Sequence, residues 1–405
     1  MRRKRNIPEE LPARWIVTME EREPFLRNHS IIFSDEGKIN ILNDFREDEL
    51  SSRRVLLPML VNAHTHLELS WAKGKIPAGM DFLSWLKELI RLKEKIPVKT
   101  QASLLQKRLE HAWDRGTALL IDICNDISLW RETVLPDPRM KILLYKELLG
   151  FNPENAEKIY AGGKNEVEKS RKTRDDLTIA MTPHSPYSCS LQLLKLIKEK
   201  QNFPVSVHLA EHKAEMELFA DQSGQMADFL ENIGAWDGTW RPSAASPVEY
   251  MIKEKVLKSG DLAVHLVNAA EKDIALLKEN SIIPVLCPRS NEYYQNGQPP
   301  VEEMLEAGLN PLLGTDSLAS NQSLNPVDEI KAALKLWQNT AFIDILKMAT
   351  VNIRNFLPLK KAAEQFFPLK TGMNQPILEI IFANPVEDLS NSFKNDKILN
   401  QRIYA

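Results

Sequence analysis

Five of the eight histidines, with one glutamate and one aspartate, stand at the ends of apolar runs. "NAHTH" carries His64 and His66, "TPHSP" carries His184, and "VSVHLAEH" carries His208 and Glu211. "VHLVN" carries His265, and "LLGTD" ends at Asp316. An H-x-H pair in extended backbone places both imidazoles on one face, where they can share a cation. A third imidazole and a carboxylate from other strands complete a four-ligand protein set with room for water. A cation so held lowers the pKa of bound water and supplies hydroxide near neutral pH. Glu211, three residues past His208, then acts on that water or on the substrate as a proton carrier, not a ligand. Each string alone has an ordinary explanation. H-x-H pairs are usually incidental, a strand histidine usually hydrogen-bonds within the core, and the Asp of "GTD" commonly caps a helix. The ordered combination, each member on a separate predicted strand end, points to a metal site.

Eight β-rich runs position these residues: Arg54–His64, Ala118–Cys124, Lys141–Gly150, Leu177–His184, Phe203–Glu211, Leu262–Asn268, Ile282–Pro288 and Leu309–Asp316. Each is followed by a segment that can be helical. "FLSWLKELIRLKEK" and "LLQKRLEHAWDRG" lie between the first two, "SLQLLKLIKEKQN" links the fourth and fifth, and "EKDIALLKEN" links the sixth and seventh. Near-continuous apolar strands are buried on both faces. Periodicity alone leaves a barrel and a doubly wound sheet open. The ionisable residues at strand C-terminal ends favour an α/β fold of the (β/α)8 TIM-barrel type, where that face carries the active site. Residues 1–54 do not fit the barrel. "ARWIVTM" and "SIIFSDEGKINIL" read as antiparallel strands with a turn at Asp35-Glu36-Gly37, and "QPILEIIFAN" (Gln375–Asn384) as another strand. The expectation is a small β-domain from both chain ends, residues 1–54 plus 365–405, beside a barrel over 55–364.

The 405 residues are 43% hydrophobic, enough for a substantial core. Net charge is −3 with both signs interspersed, so no nucleic-acid surface is expected. The basic start, "MRRKRNIPEELPARW", has no apolar h-region after it, and no apolar run approaches a membrane span. Cys124, Cys189 and Cys287 lack C-x-x-C spacing and form neither a disulfide framework nor a cysteine zinc site. A soluble cytoplasmic protein is expected, acting on a small molecule, without membrane partners and compatible with a homodimer.

Two local strings suggest other enzymes. His208-Leu209-Ala210-Glu211-His212 matches the H-x-x-E-H of inverted-motif metalloproteases, which need it on a helix. Here it follows Pro204-Val205-Ser206-Val207, which favours a strand, so His208 reads as the ligand and His212 as a supporting or surface residue. His66-Leu67-Glu68 matches the H-x-E of cytidine-type deaminases, but the P-C-x-x-C that completes their zinc site is absent.

"LVNAHTHLELS", "TPHSPYSCS", "VSVHLAE", "VHLVNA", "CPRSN" and "LGTDSLASNQSLNPVDEI" together resemble the amidohydrolase superfamily, in order and spacing, over about residues 55–335. The branch they resemble holds the adenosine and S-adenosylhomocysteine deaminases, the chlorohydrolases and the aminofutalosine deaminases. The resemblance implies that His64, His66, His208 and Asp316 bind one divalent metal, zinc or iron. It also implies that Glu211 carries protons, that His265 holds the water or polarises the substrate, and that His184 contacts the substrate. The fourth strand lacks the lysine of binuclear members, which implies a mononuclear site. Pro58-Met59 departs from the family's Pro-Gly, and "FFPLKTGMNQPILEII" is a degraded form of its small-domain signature.

The implied reaction is hydrolytic deamination of an aminated purine nucleoside, adenosine-like or the 6-aminodeoxyfutalosine of menaquinone synthesis. A cyclic amide, guanine, cytosine or a chloro-triazine is the alternative. Arg289 can pair with a substrate carboxylate or bond its own loop. Trp85 can wall the pocket or belong to the core. Lys146 and Glu147 can reach a ribose or form a structural ion pair.

Overall fold

The structure is a computed structural model and describes residues 8–45, 47–236 and 240–404. The first strands are β1 (Glu10–Val17), β2 (Phe25–Phe33), β3 (Ile39–Leu42) and β4 (Arg54–Pro58). Then come β5 (Leu60–Thr65), β6 (Thr117–Cys124), β7 (Lys141–Leu148) and β8 (Thr178–Pro183). They are followed by β9 (Ser206–Leu209), β10 (Leu262–His265), β11 (Ile283–Leu286) and β12 (Leu312–Leu313), and last by β13 (Ile377–Phe382) and β14 (Ile398–Tyr404).

Strands β5-β6-β7-β8 form one parallel sheet and β9-β10-β11-β12 another. Every residue of β5, β6, β9, β10 and β11 is buried, as in parallel strands covered on both faces. Hydrogen bonds also join the outer strands of the two sheets. The His208 amide donates to the His184 carbonyl at 2.9 Å, and the Thr315 and Asp316 amides donate to the His64 carbonyl at 2.9 and 3.0 Å. The helices Phe82–Lys93 and Val98–Asp114 fall where apolar spacing places them. Asp81 caps the first by accepting from the Ser84 amide, and Gly116 turns the chain into β6 at φ 93°.

Three details depart from expectation. The run Arg54–His64 is two strands. Arg54–Pro58 pairs with β1 and β13, whereas Leu60 onward pairs with β6. Pro58 lacks an amide for a ladder, and the change of partner falls there. Between β6 and β7 the structure has a short 3-10 turn, Ile127–Trp130, and no α-helix; Pro136 and Pro138 interrupt that segment. The eighth strand shrinks to Leu312–Leu313.

The third sheet, in order β14-β13-β4-β1-β2-β3, draws on both ends of the described chain. It packs Leu11, Ile16, Ile31, Ile39, Leu56 and Ile377 together. Glu379 on β13 is fully buried, accepting from Arg54 Nε at 2.8 Å and bonding Arg402 and the Tyr404 hydroxyl. Among the described residues no helix is long and apolar enough to cross a membrane.

Candidate active site

Parallel strands share their carboxyl-end edge, and there the structure gathers the predicted residues. Nitrogens of His64, His66 and His208 all lie within 4.8 Å of one another. His66 Nε2 is 3.3 Å from His208 Nε2. Asp316 Oδ1 is 3.7 Å from His66 Nε2 and 3.9 Å from His64 Nε2. Both ring nitrogens of His64 are buried without a hydrogen-bond partner. Buried polar atoms are normally satisfied, so a bare imidazole facing two others fits a cation ligand.

The neighbours orient this group. Asp316 Oδ2 accepts from the Ser290 and Ser320 hydroxyls, each at 2.6 Å, which leaves Oδ1 toward the histidines. Burial works to raise the Asp316 pKa, but His66, His265 and His64, with the Ser290 bond, hold it at about 2. His208 Nδ1 faces the His184 carbonyl at 3.1 Å; a proton there leaves Nε2 open to a cation. His265 Nδ1 faces Asn291 Oδ1 at 3.2 Å, which leaves Nε2 as the basic nitrogen, 3.6 Å from Glu211 Oε1. Burial, reinforced by the Asp316 charge, pushes the Glu211 carboxyl well above the usual range. His184 Nδ1 meets the Ser185 and Ser188 hydroxyls at 3.0 and 2.9 Å, and its ring stacks on His208. Burial, then His265, lowers its pKa to about 4, so the ring is neutral.

Backbone conformation contributes. Ala210 (φ 49°), His265 (φ 73°) and Asp316 (φ 55°) are left-handed, a costly state for non-glycine residues that concentrates at functional sites. Each falls at a strand end carrying a site residue.

Above the histidines opens a cavity of about 420 Å³. His66, His184, His208, Glu211, His265 and Asp316 line its floor, and Trp85 lines its wall with its indole N–H on the Ala319 carbonyl at 3.0 Å. Arg289 is the correction among the expected substrate contacts. It does not line the cavity; its guanidinium lies 4.0 Å from Asp328, and its amide donates to Glu329. Lys146 pairs with Glu166 at 2.8 Å, the structural alternative, while Glu147 does line the cavity. His212 is buried against the Phe82 ring and accepts from Asn296. Strand β9 ends at Leu209 and the next helix starts at Lys213, so His208 and His212 share no helix and the protease reading falls. Sequence reasoning missed Asn291, Ser290 and Ser320. "CPRSN" contains two of them, but no spacing rule marks a residue that orients a neighbour. Glu68, read in the sequence only as part of an H-x-E string, accepts from the Asn125 and Asp126 amides at 3.0 and 3.3 Å.

Parallel α/β strands ending in a tight group of histidines and a carboxylate define a class, the hydrolases built on a strand-end cation site. The chain belongs to the amidohydrolase family, whose sequence model matches residues 55–363. It is an enzyme of hydrolytic C–N chemistry. An aminodeoxyfutalosine deaminase of Deinococcus radiodurans is 28% identical over 301 residues, covering 70% of this chain and 68% of that one. A 5′-deoxyadenosine deaminase of Methanopyrus kandleri is 25% identical over 406 residues, covering 92% and 89%. An adenosine deaminase from Xanthomonas campestris, solved with bound zinc, superposes with a TM-score of 0.72 at 18% identity, covering 97% of this chain and 91% of that one.

Proposed function

We propose that the protein deaminates an adenine nucleoside by hydrolysis, with one divalent ion held by His64, His66, His208 and Asp316. Zinc is the ion we assign, after the zinc in the Xanthomonas campestris structure of similar fold. The bound ion supplies Lewis acidity that lowers the pKa of an adjacent water. Glu211 accepts a proton from that water and passes it to the purine nitrogen beside the carbon bearing the amine. His265 Nε2, freed by the Asn291 contact, and Asp316 orient the water. His184 and Trp85 contact the substrate. The water oxygen bonds to that carbon, Glu211 carries the oxygen's remaining proton to the amine, and ammonia leaves as the C–N bond breaks and the carbonyl forms.

We further propose that the two four-stranded sheets form one closed eight-stranded barrel within the expected span 55–364, with the sheet β14-β13-β4-β1-β2-β3 as a separate small domain that takes in Arg54–Pro58, four residues past the expected boundary at 54. The hydrogen bonds from Thr315 and Asp316 to His64, and from His208 to His184, support closure.

One observation carries the functional reading. Glu211 stands 3.6 Å from His265 Nε2, beside imidazoles whose Nε2 atoms are 3.3 Å apart. Metal analysis and an ammonia-release assay test it with Glu211→Gln. The variant keeps about one ion per chain and loses turnover roughly 1,000-fold. Near-normal turnover removes Glu211 from the proton route, and hydrolysis of a triazine or cyclic amide without ammonia release from any nucleoside overturns the reaction.

A further inference from the structure

The cavity's charges and its rim are distributed unevenly, and the pattern bears on which nucleosides it accepts. Glu68, Glu147, Glu211 and Asp316 line it, each at most 6% exposed. Among the described lining residues the one lysine or arginine is Lys93, and its Nζ already lies 3.6 Å from Glu68 Oε2. Arg289 and Lys146, the other cations near the strand ends, turn to Asp328 and Glu166. An anionic group held at the mouth, away from the floor where His64, His66, His208 and Asp316 would hold the ion, leaves water without gaining a free lysine or arginine, which is the expensive way to bury charge.

The mouth has the opposite character. Ile90, Leu149 and Ile233 are 49%, 43% and 58% exposed, and all three line the cavity. Leu86, Phe229 and Leu230 line it with them. Single exposed apolar residues are ordinary, but several around one opening form a patch that a ligand can cover. Deeper, Glu147 Oε1 is buried without a partner while Asn125 Nδ2 holds Oε2 at 2.6 Å. Oε1 faces His208 Nδ1 at 3.9 Å, and the edge of the carboxylate that lines the cavity offers an acceptor to a hydroxyl donor.

We propose that the enzyme selects adenine nucleosides whose 5′ substituent is uncharged and apolar, and discriminates against those bearing a carboxylate there; this rests on the deaminase reading above. The apolar substituent covers Ile90, Leu149 and Ile233, and sugar hydroxyls donate to Glu147.

The test uses full-length, zinc-loaded protein. Ammonia release is measured with 5′-methylthioadenosine, adenosine, adenosine 5′-carboxylic acid and 6-aminodeoxyfutalosine, whose benzoate is anionic. Binding of 5′-methylthioinosine and inosine 5′-carboxylic acid, which carry no amine to lose, is measured by calorimetry. The methylthio compounds are expected to exceed the carboxylates on the order of 100-fold, both in kcat/KM and in affinity. Ile90→Lys, at a half-exposed helical position, is expected to narrow that ratio about tenfold by placing a cation at the mouth. Equal or better handling of the carboxylates overturns the proposal while leaving deamination intact. An unchanged ratio in Ile90→Lys overturns the role of the rim. Absence of both ammonia and binding with every nucleoside overturns the deaminase reading and this inference together.

Discussion

Gly314 lies so close to His64 that a Cβ on the glycine would stand 2.8 Å from His64 Cβ and 3.0 Å from its backbone N and O. The contact lies where the chain leaving β12 crosses β5, and the Gly314 amide is itself fixed on the Leu286 carbonyl at 2.9 Å. Space, not backbone freedom, requires glycine here. Gly314→Ala must displace His64, and the overpacking is expected to cost about 1–3 kcal/mol. Zinc retained after dialysis should fall together with the denaturant midpoint. Full retention of both would separate His64 from the cation site.

Asn291 acts on the reaction through His265, whose Nδ1 it meets at 3.2 Å. Without an acceptor there, the ring can place its proton on Nε2, facing Glu211, and loses its basic nitrogen. Asn291→Ala is expected to lower kcat roughly 10–100-fold, with KM and zinc content little changed. Asn291→Asp keeps an acceptor and should recover part of the loss. A change confined to KM would place Asn291 in substrate binding instead.

Glu379 tests the terminal sheet. It is fully buried, as is nearly all of Arg54, and the two meet at 2.8 Å. Glu379→Ala removes the buried carboxylate that Arg54 shares with Arg402 and Tyr404 and leaves the Arg54 guanidinium only the more exposed Asp48, at 2.9 Å, and loss of about 3 kcal/mol is expected in chemical denaturation. Replacing Arg54 and Glu379 together by apolar residues should restore much of it. A single substitution within experimental error of wild type would show that water reaches this pair.

The sequence made the metal-site candidates legible because each sits at the end of an apolar strand, where residue type and position both carry information. His64, His66, His208 and Asp316 converge although they are far apart in the chain. What supports them was not legible. Ser290 and Ser320 look like any loop serines, and their bonds to Asp316 depend on how two strand-end loops meet. Arg289 shows where the sequence left two readings open. A cation beside a strand end suggested a substrate anchor, yet Asp328 and Glu329, forty residues on, supply nearer acidic partners. Strand β14, "ILNQRIY", escaped notice because its half-buried residues alternate weakly with polar ones, with Gln401, Ile403 and Tyr404 alone buried. Edge strands gain their structure from a neighbour, here β13, and not from their own pattern.

Glu215 supplies a pH dependence. It is fully buried in the first turn of the helix Lys213–Asp221, where Oε2 accepts from the Glu211 amide at 2.9 Å and Oε1 has no partner. Burial, opposed by that amide bond and reinforced by the nearby Glu211 charge, raises its pKa from 4.5 to about 8. The folded state therefore holds this proton where the unfolded chain releases it. The resulting stabilisation is fully present below pH 4.5 and is lost as pH rises through 8. Glu215→Gln keeps an acceptor for the Glu211 amide and cannot ionise. In metal-free protein, where ligand protonation does not intrude, wild type should lose on the order of 3 kcal/mol more than the variant between acid and mildly alkaline pH. Denaturant titrations across that range measure the difference directly. Parallel curves for the two proteins would mean that Glu215 is ionised in the fold and that water or a cation reaches Oε1.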